Sequence, residues 1–542
     1  MHILVVIPAR GGSKGIPRKN LRYLAGKPLL FYVASLLKKS KFNLDAYLSS
    51  EDYEIISLGK KLGLKTHLRD LSIAGDAVTL DPVVYSCLQY AEKVENKKYD
   101  LVVTMQPTSP LLKIESLDSA LTKIINNHEL ETVLSAFDKT ALSWTKKEGR
   151  YIPLYEKRLN RQYLEPTYTE TGGFFISRRD IITENNRIGS SVSLYLLDDQ
   201  ESIDIDTFQD WAICEYILKK KKILFVVTGN NIVGLGHVYN SLLIANDILN
   251  HEIQFLVDKD SLLAAEVLSR YNYKVVVQKK SDILEDIKDL RPDIVINDRL
   301  DTDEKYISDL KDNCSKVINF EDLGSGASIA DLVFNAIYPE NREYDHHYYG
   351  ANYFLLRDEF LLSKPKVICE KVKKVLLTFG GVDPLNNTLK VLQSIYEYCI
   401  DSQIQIQVIA GIGYNKFDTL KGYPKIDILH DVRNISDHML DADIIFTSAG
   451  RTVYEIASLG VPCIVLAQNS RELTHYFASS ENGFVNLGLG SESSCIEILT
   501  VFKSLVTDFE KRICVSSLMK KTDFKSGRKT VIDLIKNEIE KI

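Results

Sequence analysis

Three glycines (Gly11, Gly12 and Gly15) alternate with Arg10, Ser13, Lys14, Arg18 and Lys19 in one short stretch of the chain. Glycines let backbone N–H groups come close to a polyanion, and the cations offset its charge. Four cations within ten residues, directly after an apolar run at 3–7, favour phosphate binding over a solvated basic turn. The stretch is neither GxGxxG nor a P-loop, because no Gly-Lys-Ser/Thr leads straight into a helix. A second constellation is Ser202-Ile203-Asp204-Ile205-Asp206-Thr207. In an extended segment, residues two apart point to one face, so Asp204 and Asp206 converge. Two hard carboxylates at that spacing suit Mg²⁺ (or Mn²⁺), which also takes waters and substrate phosphate oxygens. A helix N-cap at Asp206 or Thr207 explains one of these residues but not the carboxylate pair. The third constellation is His237, at the end of the glycine-containing turn 228–237 and the start of a helix. There the positive end of the helix dipole favours a neutral imidazole, which can act as a general base.

These residues need a scaffold, and the pattern supplies one. Continuous apolar runs at 3–7 and 101–105 have the signature of strands buried on both faces of a parallel sheet. Shorter strands at 46–49 and 65–68 alternate with helical patterns at 28–39 and from 81 to about 94, which gives a βαβ architecture. Asp81 is positioned to cap the second of these helices. The strand at 101–105 delivers Gln106-Pro107-Thr108-Ser109-Pro110, a loop stiffened by two prolines and suited to a neutral polar ligand. Arg161, ahead of Thr171-Gly172-Gly173, is either a carboxylate-binding or a surface cation. A helix at 208–219 ends in the run Lys219–Lys222, where the sheet pattern starts afresh. The second half has strands at 223–227, 253–257, 274–277, 294–297 and 316–320 in one unit. A strand at 374–379 opens another, with strand-end loops at 380–388, 448–452 and 468–469. These two units are expected to face each other across a cleft.

Composition bounds the function. A chain of 542 residues is too long for one core. The net charge of −6 argues against nucleic acid as a partner, and no apolar run reaches a membrane span. The eight cysteines are scattered with no CxxC pair, which fits reduced, mostly buried thiols in a cytoplasmic protein without a zinc site.

IPARGGSKGIPRKNL, QPTSPL and SIDIDT resemble the motifs of CMP-sialic acid synthetases over about the first 220 residues. The resemblance implies a nucleotidyltransferase (GT-A-like) Rossmann-like domain at 1–220 that activates a sialic, legionaminic or pseudaminic type acid with CTP and a divalent metal. It also implies a homodimer through this domain. Carried over by position, Arg10, Lys14, Lys19 and Asn20 contact the nucleotide, with Arg10 and Lys19 catalytic. Asp76 and Thr79 lie against base and ribose, Gln106 and Arg161 bind the sugar acid, and Asp204 and Asp206 bind the metal. GLGHVYNSLLIA, GANYFLLRDEF, TFGGVDPLNNT and SAGRTVYEIASLGVPCIV resemble the UDP-sugar hydrolase of pseudaminic acid synthesis. This implies a GT-B-like pair of Rossmann-like domains at 221–365 and 366–542, with no cofactor. His237 is then the base that activates water. Gly380, Gly381, Gly450 and Thr452 hold the UDP, Glu455 its ribose, and Asn469 the substrate. Asn240 stands where that family often has arginine. The whole chain is thus expected to be a bifunctional α/β enzyme, the rivals for its second half being a glycosyltransferase and an inactive binding module.

Overall fold

In the computed structural model, which describes residues 1–12, 15–75, 77–338 and 344–542, the chain packs as two compact units, Met1–Lys219 and Lys220–Ile542. The first is built on a seven-stranded sheet. Its strands are β1 (Ile3–Pro8), β2 (Leu44–Ser50), β3 (Lys65–Leu68), β4 (Leu101–Thr104), β5 (Thr132–Asp138), β6 (Tyr168–Arg178) and β7 (Val192–Leu196), in spatial order β7-β5-β6-β4-β1-β2-β3. Every residue of β1 and β4 is buried, as their unbroken apolar runs require of strands covered on both faces. β1 pairs parallel with β2 on one side and with β4 on the other, while β6 runs antiparallel to β4. The strand order therefore reverses at β1, and the loops after β1 and β4 flank the resulting crevice.

Helix α1 (Leu29–Leu37) follows the basic loop, and α2 (Leu80–Glu95) precedes β4. Thr79 holds the N-cap position of α2 without a side-chain cap bond. Asp81 is the second residue of the helix, so it does not hold the cap position as expected. It pairs instead with Arg187 at 2.7 Å. Helix α3 (Phe208–Leu218) starts with a capping box in which Thr207 and Asp210 exchange bonds, so Thr207, not Asp206, is the cap. The segment ahead of it, expected to be extended, is not a strand of the sheet. Residues 203–206 are irregular backbone, tied to the loop after β4 by the Ile205 N–H donating to the Thr108 carbonyl.

The second unit holds two all-parallel sheets. One comprises β8 (Lys222–Val227), β9 (Glu252–Val257), β10 (Lys274–Val277), β11 (Ile294–Asp298), β12 (Lys316–Phe320), β13 (Leu332–Asn335) and β14 (His347–Tyr349), in order β10-β9-β8-β11-β12-β13-β14. The other comprises β15 (Lys374–Leu377), β16 (Gln405–Ala410), β17 (Ile426–His430), β18 (Ile444–Thr447), β19 (Cys463–Ala467) and β20 (Phe484–Leu489), in order β17-β16-β15-β18-β19-β20. Each sheet reverses at its first strand, at β8 and at β15. Helix α4 (Gly236–Asp247) follows β8, and α5 (Thr452–Leu459) follows β18. The last helix, α6 (Gly527–Glu540), returns from the second sheet to the core of the first, where Val531, Ile532, Ile535 and Ile539 pack. Of the eight cysteines, all free, Cys87, Cys214, Cys399 and Cys463 are buried, while Cys369, Cys495 and Cys514 are exposed. Among the described residues no helix is long and apolar enough to cross a membrane.

Candidate active sites

In the first unit the crevice at β1 collects much of the predicted site. Lys19 donates its ammonium to the Ile205 carbonyl and lies 3.3 Å from Asp206 Oδ1. The Asn20 amide N donates to the Arg10 carbonyl at 3.0 Å, bracing the loop from within, while its buried Oδ1 has no protein partner. Gly15 allows the close approach of loop and carboxylate segment, because a Cβ there would sit 2.4 Å from the Asp206 carbonyl oxygen. Gly172 does the same from β6, where a Cβ would meet Asp204 Oδ2 at 2.9 Å. The Gln106 N–H is tied to the Gly172 carbonyl at 3.1 Å. Gln106, Gly172 and Asp204 therefore belong to one neighbourhood.

Asp204 is the most informative residue here. Its Oδ1 is buried with no hydrogen-bond partner, as are the Thr108 and Ser109 hydroxyl oxygens. Burial pushes its carboxyl above the usual range, the charges of Asp206 and Asp210 add to that, and Thr108 and Lys19 oppose it. Asp206, by contrast, is largely exposed. A half-buried carboxylate with an orphaned oxygen, beside a second carboxylate, fits a hard divalent cation. Among the described residues no three His, Cys, Asp or Glu side chains form a metal-holding group, so such a cation would complete its shell with water and ligand oxygens. Asp204 and Arg161 line a common cavity of about 700 Å³ with Asp138, Lys139 and Thr140. Arg18 turns away to Asp52 and Glu54. Lys14 and Asp76 lie outside the described residues.

In the second unit the crevices at β8 and β15 open on one cavity of about 570 Å³. His237, in the first turn of α4, faces it, and its Nδ1–H donates to Asp298 Oδ1 at 2.5 Å. Asp298 is fully buried at the end of β11, next to β8 in the sheet, and its Oδ2 accepts from Asn240 Nδ2 at 2.7 Å and Ser241 Oγ at 3.2 Å. Sequence reading missed Asp298, although a carboxylate closing an apolar run was a visible signal. The result is an imidazole fixed in one tautomer, with Nε2 left for the cavity. Nothing comparable marked Arg451. From the N-cap of α5 its guanidinium donates to Asn240 Oδ1 at 2.5 Å and lies 3.2 Å from Glu321 Oε1. A guanidinium thus reaches the position of Asn240 from the other sheet.

Gly380, Gly381, Gly450, Thr452, Glu455 and Asn469 all line this cavity. Gly380 needs its missing side chain, with φ of +79°. Glu455 is already engaged, accepting from Arg357 Nε at 2.7 Å. Asn469 Oδ1 accepts from the Glu472 N–H at 3.0 Å. Glu472 fixes both neighbouring loops, its Oε2 accepting from the Gln468 and Ala449 N–H groups, and burial pushes its carboxyl up to about 7.

Against known proteins, a model described as Cytidylyltransferase matches residues 4–196. A pseudaminic acid cytidylyltransferase of Campylobacter jejuni is 30% identical over 227 residues, covering 40% of this chain and 97% of that protein. An uncharacterized protein of Methanocaldococcus jannaschii is 33% identical over 280 residues, 47% of this chain and 57% of that protein, so the match spans little more than half of that relative's length. A Helicobacter pylori protein named as both a pseudaminic acid cytidylyltransferase and a UDP-2,4-diacetamido-2,4,6-trideoxy-beta-L-altropyranose hydrolase is 24% identical over 533 residues, 94% of each chain.

Proposed function

Because the chain belongs to the cytidylyltransferase family, we propose that it is a two-activity enzyme of nonulosonic acid synthesis. The Met1–Lys219 unit transfers CMP from CTP to the anomeric hydroxyl of a nine-carbon sugar acid. The sugar oxygen attacks the α-phosphorus, the bond to the β-phosphate breaks, and pyrophosphate leaves. Arg10, Lys14, Lys19 and Asn20 hold the phosphates, Asp76 and Thr79 the nucleoside, and Gln106 and Arg161 the acid. Asp204 and Asp206 would hold Mg²⁺ or Mn²⁺, which supplies charge neutralisation at the phosphates. What carries this reading is the orphaned Asp204 oxygen beside Asp206, with Lys19 reaching over from the glycine loop. The unit is proposed to pair with a second copy through the hairpin formed by Trp144–Lys147 and Arg150–Pro153, whose Trp144, Tyr151 and Ile152 are exposed. A cytoplasmic location fits soluble nucleotide substrates.

The Lys220–Ile542 unit hydrolyses a UDP-linked diacetamido-trideoxy sugar to UDP and free sugar. Asp298 holds the Nδ1–H of His237, whose Nε2 takes the proton of the water that attacks the anomeric carbon. Gly380, Gly381, Gly450 and Thr452 cradle the diphosphate, Glu455 the ribose, and Asn469 the sugar side. The His237–Asp298 pair favours an active hydrolase over a binding module, since a ligand-binding surface has no need of an oriented base. Two variants test the assignment. Asp206→Ala should abolish pyrophosphate release from CTP and leave UDP release intact. His237→Asn should do the reverse, lowering UDP release by about two to four orders of magnitude. Near wild-type CTP turnover by the first variant, or UDP release by the second, removes that residue from its role.

A further inference from the structure

Glu321 lies on the first sheet's side of the second-unit cavity and has no part in the reading above. It follows β12, the strand beside β11, so it sits at the same carboxyl edge as Asp298. The residue is 2% exposed and lines the cavity together with His237. Its φ is +53°, left-handed backbone that a glutamate rarely adopts, and it is pinned there by three contacts. Its N–H donates to the Phe334 carbonyl at 2.9 Å, its carbonyl accepts from Arg471 at 2.6 Å, and Arg451 lies 3.2 Å from Oε1. Oε2 is buried and has no partner. The Ile337 N–H also favours the charged form. Burial is the largest influence on the carboxyl and raises it; Arg451 and His237 act the other way, and Asp298 adds to the rise.

A strained, tightly held carboxyl with one satisfied oxygen and one orphaned oxygen is arranged for a group that the protein itself does not provide. Resting on the UDP-sugar reading of this cavity, we propose that Glu321 is a substrate-contacting, specificity-determining residue whose Oε2 hydrogen-bonds an N–H or O–H of the sugar. Its place on the wall selects the sugar rather than the nucleotide. The proposed UDP contacts come from the loops after β15 and β18, whereas Glu321 shares an edge with the His237–Asp298 pair, where the anomeric carbon must sit. A diphosphate would also be repelled by this carboxylate, while a sugar amide or hydroxyl supplies the missing donor. Arg451, bonded to Glu321 on one side and Asn240 on the other, keeps the carboxyl facing the same cavity as the imidazole.

Binding separates this role from a structural one. In the full chain carrying His237→Asn, which slows turnover, calorimetry compares UDP with UDP-N-acetylglucosamine and with the UDP-diacetamido-trideoxy sugar. Adding Glu321→Ala should weaken at least one UDP-sugar about tenfold and leave UDP within about twofold. Glu321→Gln, which keeps a hydrogen-bonding group, should recover part of the loss. Equal weakening of UDP and UDP-sugar, or no change in either, overturns the proposal. A chain with His237 intact that binds UDP yet releases none from UDP-sugars defeats the hydrolase reading alone. Failure to bind UDP at all defeats both.

Discussion

Replacing Asp298 with Asn tests whether the second site depends on an oriented imidazole. Asp298 is fully buried and accepts from His237 Nδ1, Asn240 Nδ2 and Ser241 Oγ. Asparagine keeps the shape but has one acceptor oxygen, so its NH₂ must face either the imidazole or the Asn240 amide. Losing a hydrogen bond to a buried charged group costs about 1.5–3 kcal/mol. The imidazolium that forms as water gives up its proton also loses a carboxylate partner, a contact of about 4 kcal/mol at an effective dielectric of about 20. At about 1.4 kcal/mol per tenfold, the two together bound the loss at about 10⁴–10⁵, and the amide's residual dipole brings the expected fall in kcat nearer 10³. The assay is coupled detection of UDP release, with calorimetric UDP affinity as the control, because the proposed nucleotide contacts lie on other loops. UDP affinity should change less than threefold. Hydrolysis within tenfold of wild type, with UDP binding intact, would refute the dyad. Loss of UDP binding would instead indicate a collapsed site.

Two further outcomes follow from the geometry. Lys19→Ala removes the proposed phosphate-neutralising charge together with the tether to Ile205 and Asp206. It should lower kcat/KM for CTP about 10- to 100-fold, and unchanged CTP kinetics would leave Lys19 outside the site. His475, buried with Nδ1 donating to the Ala449 carbonyl, is lowered to about 4, chiefly by burial, with Arg451 adding to it. Between about pH 6.5 and 4 the unfolded chain binds a proton there that the folded chain does not. Stability of the second unit should therefore fall as pH drops through that window. His475→Gln should flatten this acid limb in thermal unfolding followed against pH, and an unaltered limb would assign it to other groups.

The chemistry-bearing loops were legible in the sequence because each follows a buried parallel strand, and unbroken apolar runs such as Ile3–Pro8 announce such strands without help from the rest of the chain. Glycine and cation content then pointed to anion binding at 10–20, and the GxGH turn singled out His237, while the role of Gly380 and Gly381 rested on the resemblance. Local pattern could not settle the order of strands within a sheet. That β1, β8 and β15 are each flanked on both sides, creating a crevice at the following loop, depends on long-range pairing. For the same reason the partners of the predicted residues were hidden. Asp298 is 61 positions from His237, and Arg451 is 211 from Asn240. The local i, i+2 alternation of residues 203–206 could not show what anchors them, because the Thr108 carbonyl that captures Ile205 N–H lies nearly a hundred positions away. Sequence determined which residues could do chemistry. Packing decided which of them meet, since burial strips away water and obliges each polar group to find a partner wherever the fold supplies one.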